Sequence, residues 1–408
     1  MSADYAELCK MLKSALLELH ASGQEGFEGL VRDVYREATG VPLVLQKPGP
    51  QGGVDEIAES TALGIVVGVE AKRYRDSTAL RFDDLKSKLV DAATRENAID
   101  LWILVSSKEI SGDDRAALCR IGDKNGLGVV VLDWRSGADV MAPLPLLLAL
   151  APNAVKQHLG EMIAEALSAV KVHPEFETQR AELLNVLTRP DLGLVHAAVA
   201  VKQEISKALE SRQNARSRLQ NPIDLYAPDR IWTPRDGHCA VIREWTQEAA
   251  SKPICVALGE EGAGKTWLMF DWWRRETQPD HPPLILWLPA RDVASGELHE
   301  VLGTALAKWV AAPKRDVAFW ARRTELWRRT CGSSHRPFIW LMLDAVNEGN
   351  AQQHVLALLM QSLDSKWQGV VGILLSDRPG HWQRVFKDGK LLDAPPPTVR
   401  VGRFTSPL

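Results

Sequence analysis

Strand and helix patterns alternate along two stretches of this 408-residue chain, and the sequence therefore predicts an α/β protein. Three observations carry the prediction. Apolar residues at helical spacing (Phe27, Leu30, Val31, Val34, Tyr35) are followed by short apolar runs such as 101–105 and Gly128–Leu132. Between 153 and about 219 only the helical period persists. Beyond it, the run 253–258 leads directly into a glycine-rich loop and a new helical stretch, the connection that a parallel sheet requires.

Each element has a local reason. The first helix closes at Gly40, which stands at its C-cap. Residues 41–45 and 63–69 read as strands joined by the turn-rich Pro48-Gly49-Pro50-Gln51-Gly52-Gly53. A helix with Phe82, Leu85, Leu89 and Ala92 on one face follows, then strand 101–105, a helix near 112–122 and strand Gly128–Leu132. In the helical stretch, Val155, Leu159, Met162, Ala166 and Val170 form one apolar face. Residues 183–187 belong to a second helix, ended by Pro190; Leu194, Ala198, Val201, Ile205 and Ala208 form a third. Asn221-Pro222 and Ala227-Pro228 punctuate the exit. The expected division is a domain over 1–145, a helical linker over 146–229 and a domain over 230–408. Of 14 tryptophans, only Trp102 and Trp134 precede residue 232; Trp272, Trp273, Trp320 and Trp327 sit at spacings that suit helix faces packed into a core.

Composition excludes several classes. Lys plus Arg is 49 against 52 Asp plus Glu, a net charge of −3, so the chain is not a binder driven by a large positive field. Residues 1–150 hold 17 basic and 23 acidic side chains, net −6. The longest apolar run, 144–151, is far short of the roughly 20 residues of a membrane span. No basic stretch followed by an apolar core opens the chain, so no signal peptide is expected. The five cysteines are scattered without CxxC, which fits a reducing, cytoplasmic setting. Neither HExxH nor GxSxG occurs, leaving zinc hydrolysis and a serine triad unsupported.

The strongest motif is Gly259-Glu-Glu-Gly262-Ala-Gly264-Lys265-Thr266, a GxxxxGK[ST] loop between a strand and a helix. Its backbone N–H groups suit phosphate oxygens, Lys265 suits the β and γ phosphates, and the Thr266 hydroxyl suits Mg²⁺, so ATP with Mg²⁺ is the expected ligand. A glycine-rich turn can match by chance, but two further strand ends argue otherwise. Phe338-Ile-Trp-Leu-Met-Leu343 runs into Asp344, 79 residues after Lys265, where a carboxylate would complete the Mg²⁺ shell. Glu348 is placed to polarise an attacking water. Strand 370–375 runs into Ser376-Asp377-Arg378-Pro379, and Arg378 is placed to sense the γ phosphate.

Leu343-Asp344-Ala345-Val346-Asn347-Glu348 and Leu375-Ser376-Asp377-Arg378-Pro379 resemble signatures of the STAND NTPases, the signal-transduction ATPases with numerous domains. Asn347 takes a place that is usually acidic in that family. The resemblance spans about 230–408 and implies a P-loop α/β domain with a parallel sheet. It also implies a following winged-helix segment and repeat sensor, so a fragment of a longer protein is expected.

A second constellation lies near the N-terminus. Asp55 follows the Gly52-Gly53 turn, and Glu70-Ala71-Lys72 closes an apolar strand. Residues two apart on a strand share a face, so Glu70 and Lys72 project together. Two carboxylates with a lysine suit Mg²⁺-dependent phosphodiester hydrolysis: Asp55 and Glu70 as metal ligands, Lys72 beside the attacking water. A solvated strand edge rich in charge would look the same. Arg73 and Arg75 suit either DNA phosphates or such an edge.

The pattern over about 20–135 resembles the Mrr-like PD-(D/E)xK nucleases: a helix beginning Gly26-Phe27-Glu28, the Gly53-Val54-Asp55 turn and a strand ending in ExK. This implies a restriction-endonuclease-like α/β domain, with Glu28 as a further acidic neighbour of the metal. The whole chain resembles the bacterial antiviral STAND (Avs) proteins. That likeness implies an ATP-gated double-stranded DNA endonuclease of antiphage defence, assembled as a homo-oligomer (a tetramer in the family) after a sensor absent from this chain meets a viral protein. No membrane partner is expected. A nucleotide-driven restriction motor, and a non-catalytic switch that binds DNA or a partner, remain open on sequence alone.

Overall fold

Parallel strands must be joined by crossovers, and the computed structural model shows this twice, in two units over Met1–Gly193 and Leu194–Leu408. It describes residues 3–45, 54–60, 65–75, 77–94, 99–137, 140–210, 235–279, 282–311, 314–331, 336–348, 352–387 and 395–402. Among them, no helix is long and apolar enough to cross a membrane. The architecture is mixed α/β.

The first unit opens with α1 (Ala3–Glu18) and α2 (Phe27–Thr39), the latter closed by Gly40 at φ 74°. Its five-stranded sheet runs β1 (Val44–Leu45), β2 (Glu56–Ser60), β3 (Ile65–Lys72), β4 (Leu101–Ser106), β5 (Gly128–Leu132), in that spatial order. β1–β2 and β2–β3 are antiparallel, whereas β3–β4 and β4–β5 are parallel. α3 (Phe82–Thr94) and α4 (Gly112–Lys124) cover one face, where Leu85, Leu89, Trp102, Leu104, Leu118 and Val131 share one core. α2 packs against β3, so the strand that ends in Glu70 and Lys72 is covered on both faces.

Some expectations change in detail. The interval expected as turn alone contains β2, and the expected strand 41–45 shortens to Val44–Leu45. The single face from Val155 to Val170 is interrupted by Gly160 at φ 92°, which separates α6 (Pro152–Leu159) from α7 (Glu161–Ser168); Met162 is 71% exposed. The helices expected as a linker divide between the units. α5 (Pro143–Ala149), α6, α7 and α8 (Phe176–Thr188) fold with the first, and the Tyr35 hydroxyl donates to the Leu187 carbonyl (3.1 Å). α9 (Leu194–Glu210) folds with the second. Pro222 and Pro228, expected to mark the exit, lie outside the described residues.

The second unit holds α10 (Asp236–Glu248), β6 (Ile254–Leu258), α11 (Lys265–Glu276), β7 (Leu284–Pro289), α12 (Leu298–Trp309) and α13 (Val317–Cys331). These lead to β8 (Ile339–Asp344), α14 (Gln352–Ser362), β9 (Val371–Asp377), α15 (Pro379–Trp382) and β10 (Thr398–Arg400). All strands are parallel in the order β10-β6-β9-β8-β7. The register pairs Leu258 with Asp377 and Leu343 with Leu375, so β6, β8 and β9 end along one edge. Open α/β sheets bind ligands at that edge. Behind it, tryptophans fill the core: Trp340 meets Trp245 and Trp272 edge-on, with ring centroids 5.2 and 5.9 Å away.

Gly372 pairs with Trp340 across β8 and β9, and a Cβ there would fall 2.4 Å from the indole ring. The two neighbouring indoles leave that ring little room to yield. Gly372→Ala should therefore cost about 1–3 kcal/mol in urea unfolding. Gly237→Ala, near the start of α10 with nothing within 4 Å, should instead be neutral or stabilise by up to about 1 kcal/mol. Equal effects at both positions would contradict this packing.

Candidate functional site

Asp55 reaches its position through the backbone. Its N–H donates to the Val69 carbonyl (2.8 Å), and its Oδ2 accepts from the Ala71 N–H (2.9 Å), which fixes the carboxylate against the end of β3. On that strand, Glu70 and Lys72 share a face as their spacing requires, and they form an ion pair. The Lys72 ammonium also lies 3.5 Å from Asp55 Oδ2, so one cation stands between two carboxylates. Gly53, expected in the preceding turn, is outside the described residues.

Glu70 is fully buried, and neither of its oxygens has a well-formed hydrogen bond. Burial pushes its pKa up to about 7; Asp55 adds to the rise, while Lys72 and Lys88 oppose it. Burial lowers the Lys72 pKa, but Glu70 and Asp55 outweigh it and the net direction is upward. Glu28, from α2, accepts from the Gly23 N–H at 3.0 Å. Burial raises its pKa, the Gly23 bond opposes this, and the fields of Asp55 and Lys72 reach it as well. A buried carboxylate met by lysine ammonium groups, beside a second carboxylate, fits a hard divalent cation. Among the described residues no three His, Cys, Asp or Glu side chains form a metal cluster. The protein would therefore supply Asp55 and Glu70, with water and phosphate oxygens completing a Mg²⁺ shell.

Two features here escaped sequence reasoning. Lys88 on α3 brings its ammonium within 3.9 Å of Glu70, from a helix whose apolar face alone was legible. Arg73 donates to the Leu17 carbonyl (2.9 Å), which ties it to the end of α1. Arg75 is exposed.

In the second unit the glycine-rich loop leaves β6 and enters α11, with Gly262 at φ 74° and Gly264 at φ 85°, a backbone region that favours glycine. The Lys265 ammonium donates to the carbonyls of Gly259 (2.7 Å) and Glu260 (3.0 Å), wrapped over its own loop. The Thr266 hydroxyl donates to Asp344 Oδ2 (2.8 Å), and the Ser376 hydroxyl donates to Asp344 Oδ1 (2.6 Å). Asp344, at the end of β8, is thus met from β6–α11 and from β9. Burial raises its pKa, and the two hydroxyls pull it back. A hydroxyl and a carboxylate in contact beside a phosphate-type loop fit Mg²⁺ bound with a nucleotide.

Glu348 is exposed four residues on and lines a pocket with Asp344, Trp287 and Arg291. Ala345 turns the chain there at φ 58°, and its N–H donates to Ser376 Oγ (2.8 Å). Arg378, at the end of β9, is half exposed and paired with Glu261 of the glycine loop (2.9 Å). Beside it, buried Asp377 holds His381 through both oxygens (2.9 and 2.8 Å), and His381 meets Gln352 (2.7 Å). Ser376 and Asp377 lie in the quoted motif, but their bonds to Asp344 and His381, and Arg291 beside the pocket, are not visible in the sequence.

No protein-family model and no curated protein sequence matches this chain.

The buried Glu70 has a measurable consequence. The unfolded chain releases this proton near the ordinary carboxylate value of 4.5, whereas the folded protein holds it up to about 7. The folded state binds more protons in that window, so its stability contribution falls as pH rises from about 4.5 through about 7. Metal-free Glu70→Gln should lose this slope and exceed wild type in stability at about pH 8, read by urea unfolding in chelator. An unchanged slope in the variant would contradict the burial argument.

Proposed function

We propose that the chain is an ATP-gated, Mg²⁺-dependent endonuclease of double-stranded DNA that serves bacterial antiphage defence. In this reading the first unit is a Mrr-like PD-(D/E)xK nuclease and the second is a STAND NTPase core. The observation that carries it is the meeting of Asp55, Glu70 and Lys72 at one buried point, in a chain that also brings Thr266 onto Asp344. A cytoplasmic homo-oligomer, a tetramer by family likeness, forms when a viral protein is recognised.

Bound Mg²⁺ would lower the pKa of water and offset charge on the phosphate. Asp55 and Glu70 would hold it at the end of β3. Lys72, released from the gap between them, would orient the attacking water and offset charge on the phosphate as an ammonium. At the second site Lys265 would leave the loop carbonyls for the β and γ phosphates, and Thr266 and Asp344 would face the metal. Glu348 would polarise water, and Arg378 would register the γ phosphate. With a net charge of −6 over residues 1–150, a lone nuclease unit should hold DNA weakly, and assembly supplies affinity through multivalency.

The nuclease test uses the full chain fused to a tetramerising helix, with plasmid, ATP and Mg²⁺. Asp55→Ala and Glu70→Ala should abolish cleavage, and Lys72→Ala should slow it by about 10²–10⁴-fold. Cleavage that survives Glu70→Ala, or assembled wild type that never cuts, would contradict the nuclease reading.

The nucleotide site is tested separately. Lys265→Ala should lose ATP binding in calorimetry, whereas Glu348→Gln should bind ATP and turn it over more slowly. Unaltered affinity in folded Lys265→Ala would overturn the P-loop assignment; unaltered turnover in Glu348→Gln would remove that residue from the water-polarising role.

A further inference from the structure

Arg235 precedes α10 and is almost wholly buried. Its backbone N–H donates to Asp271 Oδ2 (2.8 Å), and Asp271 is held in turn by Arg275 (3.2 and 3.0 Å). With the backbone fixed, the guanidinium reaches two carbonyls in different places. Nη2 donates to Ala263 within the glycine loop (2.8 Å), and Nη1 donates to Gly402, just past β10 (3.0 Å).

The first of these bonds sets a peptide plane. C=O and N–H point oppositely across a trans peptide. Drawing the Ala263 carbonyl toward Arg235 therefore turns the Gly264 N–H to the other side of the loop. Gly262 and Gly264 have positive φ with Ala263 between them, and such alternation makes successive N–H groups converge on an anion. The Ala263 carbonyl is held by the buried Arg235, whereas Lys265 holds those of Gly259 and Glu260.

The second bond brings in β10. The Val401 N–H donates to the Leu258 carbonyl (2.7 Å), and His238 Nε2 lies 3.1 Å from the Arg400 carbonyl. A Cβ on Gly259 would fall 2.6 Å from the Val401 carbonyl oxygen, so strand exit and loop entry are in contact.

We propose that Arg235 is a positioning residue that sets the phosphate-binding orientation of the 259–264 loop and makes it conditional on the seating of β10. Nucleotide binding and strand seating are then one linked equilibrium. Arginine suits the task because its planar fork serves two carbonyls at once, whereas lysine offers a point charge. The inference rests on the P-loop reading and names a regulation of that site.

The test is calorimetry with ATP on the whole chain. Arg235→Ala should weaken ATP about 10- to 100-fold, the range for a lost hydrogen bond to a charged group, and Arg235→Lys should fall between. Val401→Pro removes the N–H given to Leu258 while leaving every residue of the loop unchanged, and it should weaken ATP as well. The double variant should bind no more weakly than Arg235→Ala alone, because both changes break one linkage. A merely structural arginine would give fold-losses that multiply. Hydrogen exchange adds a readout: ATP should slow exchange at the Val401 amide in wild type and not in Arg235→Lys.

If Arg235→Ala does not fold, Arg235→Lys, Val401→Pro and their combination carry the same comparison. Wild-type ATP affinity in a folded Arg235→Ala, or multiplying losses, would overturn the proposal. Lys265→Ala separates the two claims. Undiminished binding there sinks the P-loop reading itself, whereas binding lost there but retained in Arg235→Ala sinks only the role of Arg235.

Discussion

A carboxylate taken out of water must be answered by hydrogen bonds or a cation, and both sheets bring such a group to a strand end. Asp344 is answered by two hydroxyls, from Thr266 and Ser376, with Lys265 close enough to oppose its raised pKa. Among the described residues, Glu70 is met by an ion pair with Lys72 and a more distant Lys88, and its oxygens lack well-formed hydrogen bonds. The parallel pairing that ends β6, β8 and β9 together, and the antiparallel β2 that leads Asp55 onto β3, create these positions. Both positions place a buried carboxylate near a lysine.

A lysine stands near the carboxylate in each place. Lys72 stands between Asp55 and Glu70, and Lys265 lies over the carbonyls of its own loop. Each ammonium sits on a flexible stem, able to leave when a metal or a phosphate offers a stronger partner. The same logic separates Lys265 from Arg235. One is exchangeable and the other is buried and forked, fixed between Ala263 and Gly402.

What the sequence made legible follows from burial. Gly128–Leu132 and β6 are covered on both faces and read as unbroken apolar runs, so their limits were visible almost to the residue. Glu70 and Lys72 were legible because period two leaves no other face for them. β2 was not, since the stretch Glu56–Ser60 carries two glutamates and a serine and resembles its flanking turn in composition. Gly160 divides α6 from α7 although the apolar period runs across it; its φ of 92° is a backbone fact that composition does not reveal. Lys88 and Arg235 act through partners distant in sequence, and no local pattern announces them; Ser376 stood in a legible motif, but its bond to Asp344 did not.

The central claim is that two strand-end carboxylate sites are cation sites, one structural neighbour of a nucleotide and one of a DNA phosphate. Crystals grown with Mn²⁺ and a non-hydrolysable ATP analogue would test it most directly by anomalous diffraction. The account predicts one peak between Asp55 and Glu70, with Lys72 displaced, and a second beside Thr266 and Asp344. Fully occupied Mn²⁺ elsewhere with both positions empty, and Lys72 still between its carboxylates, would contradict it.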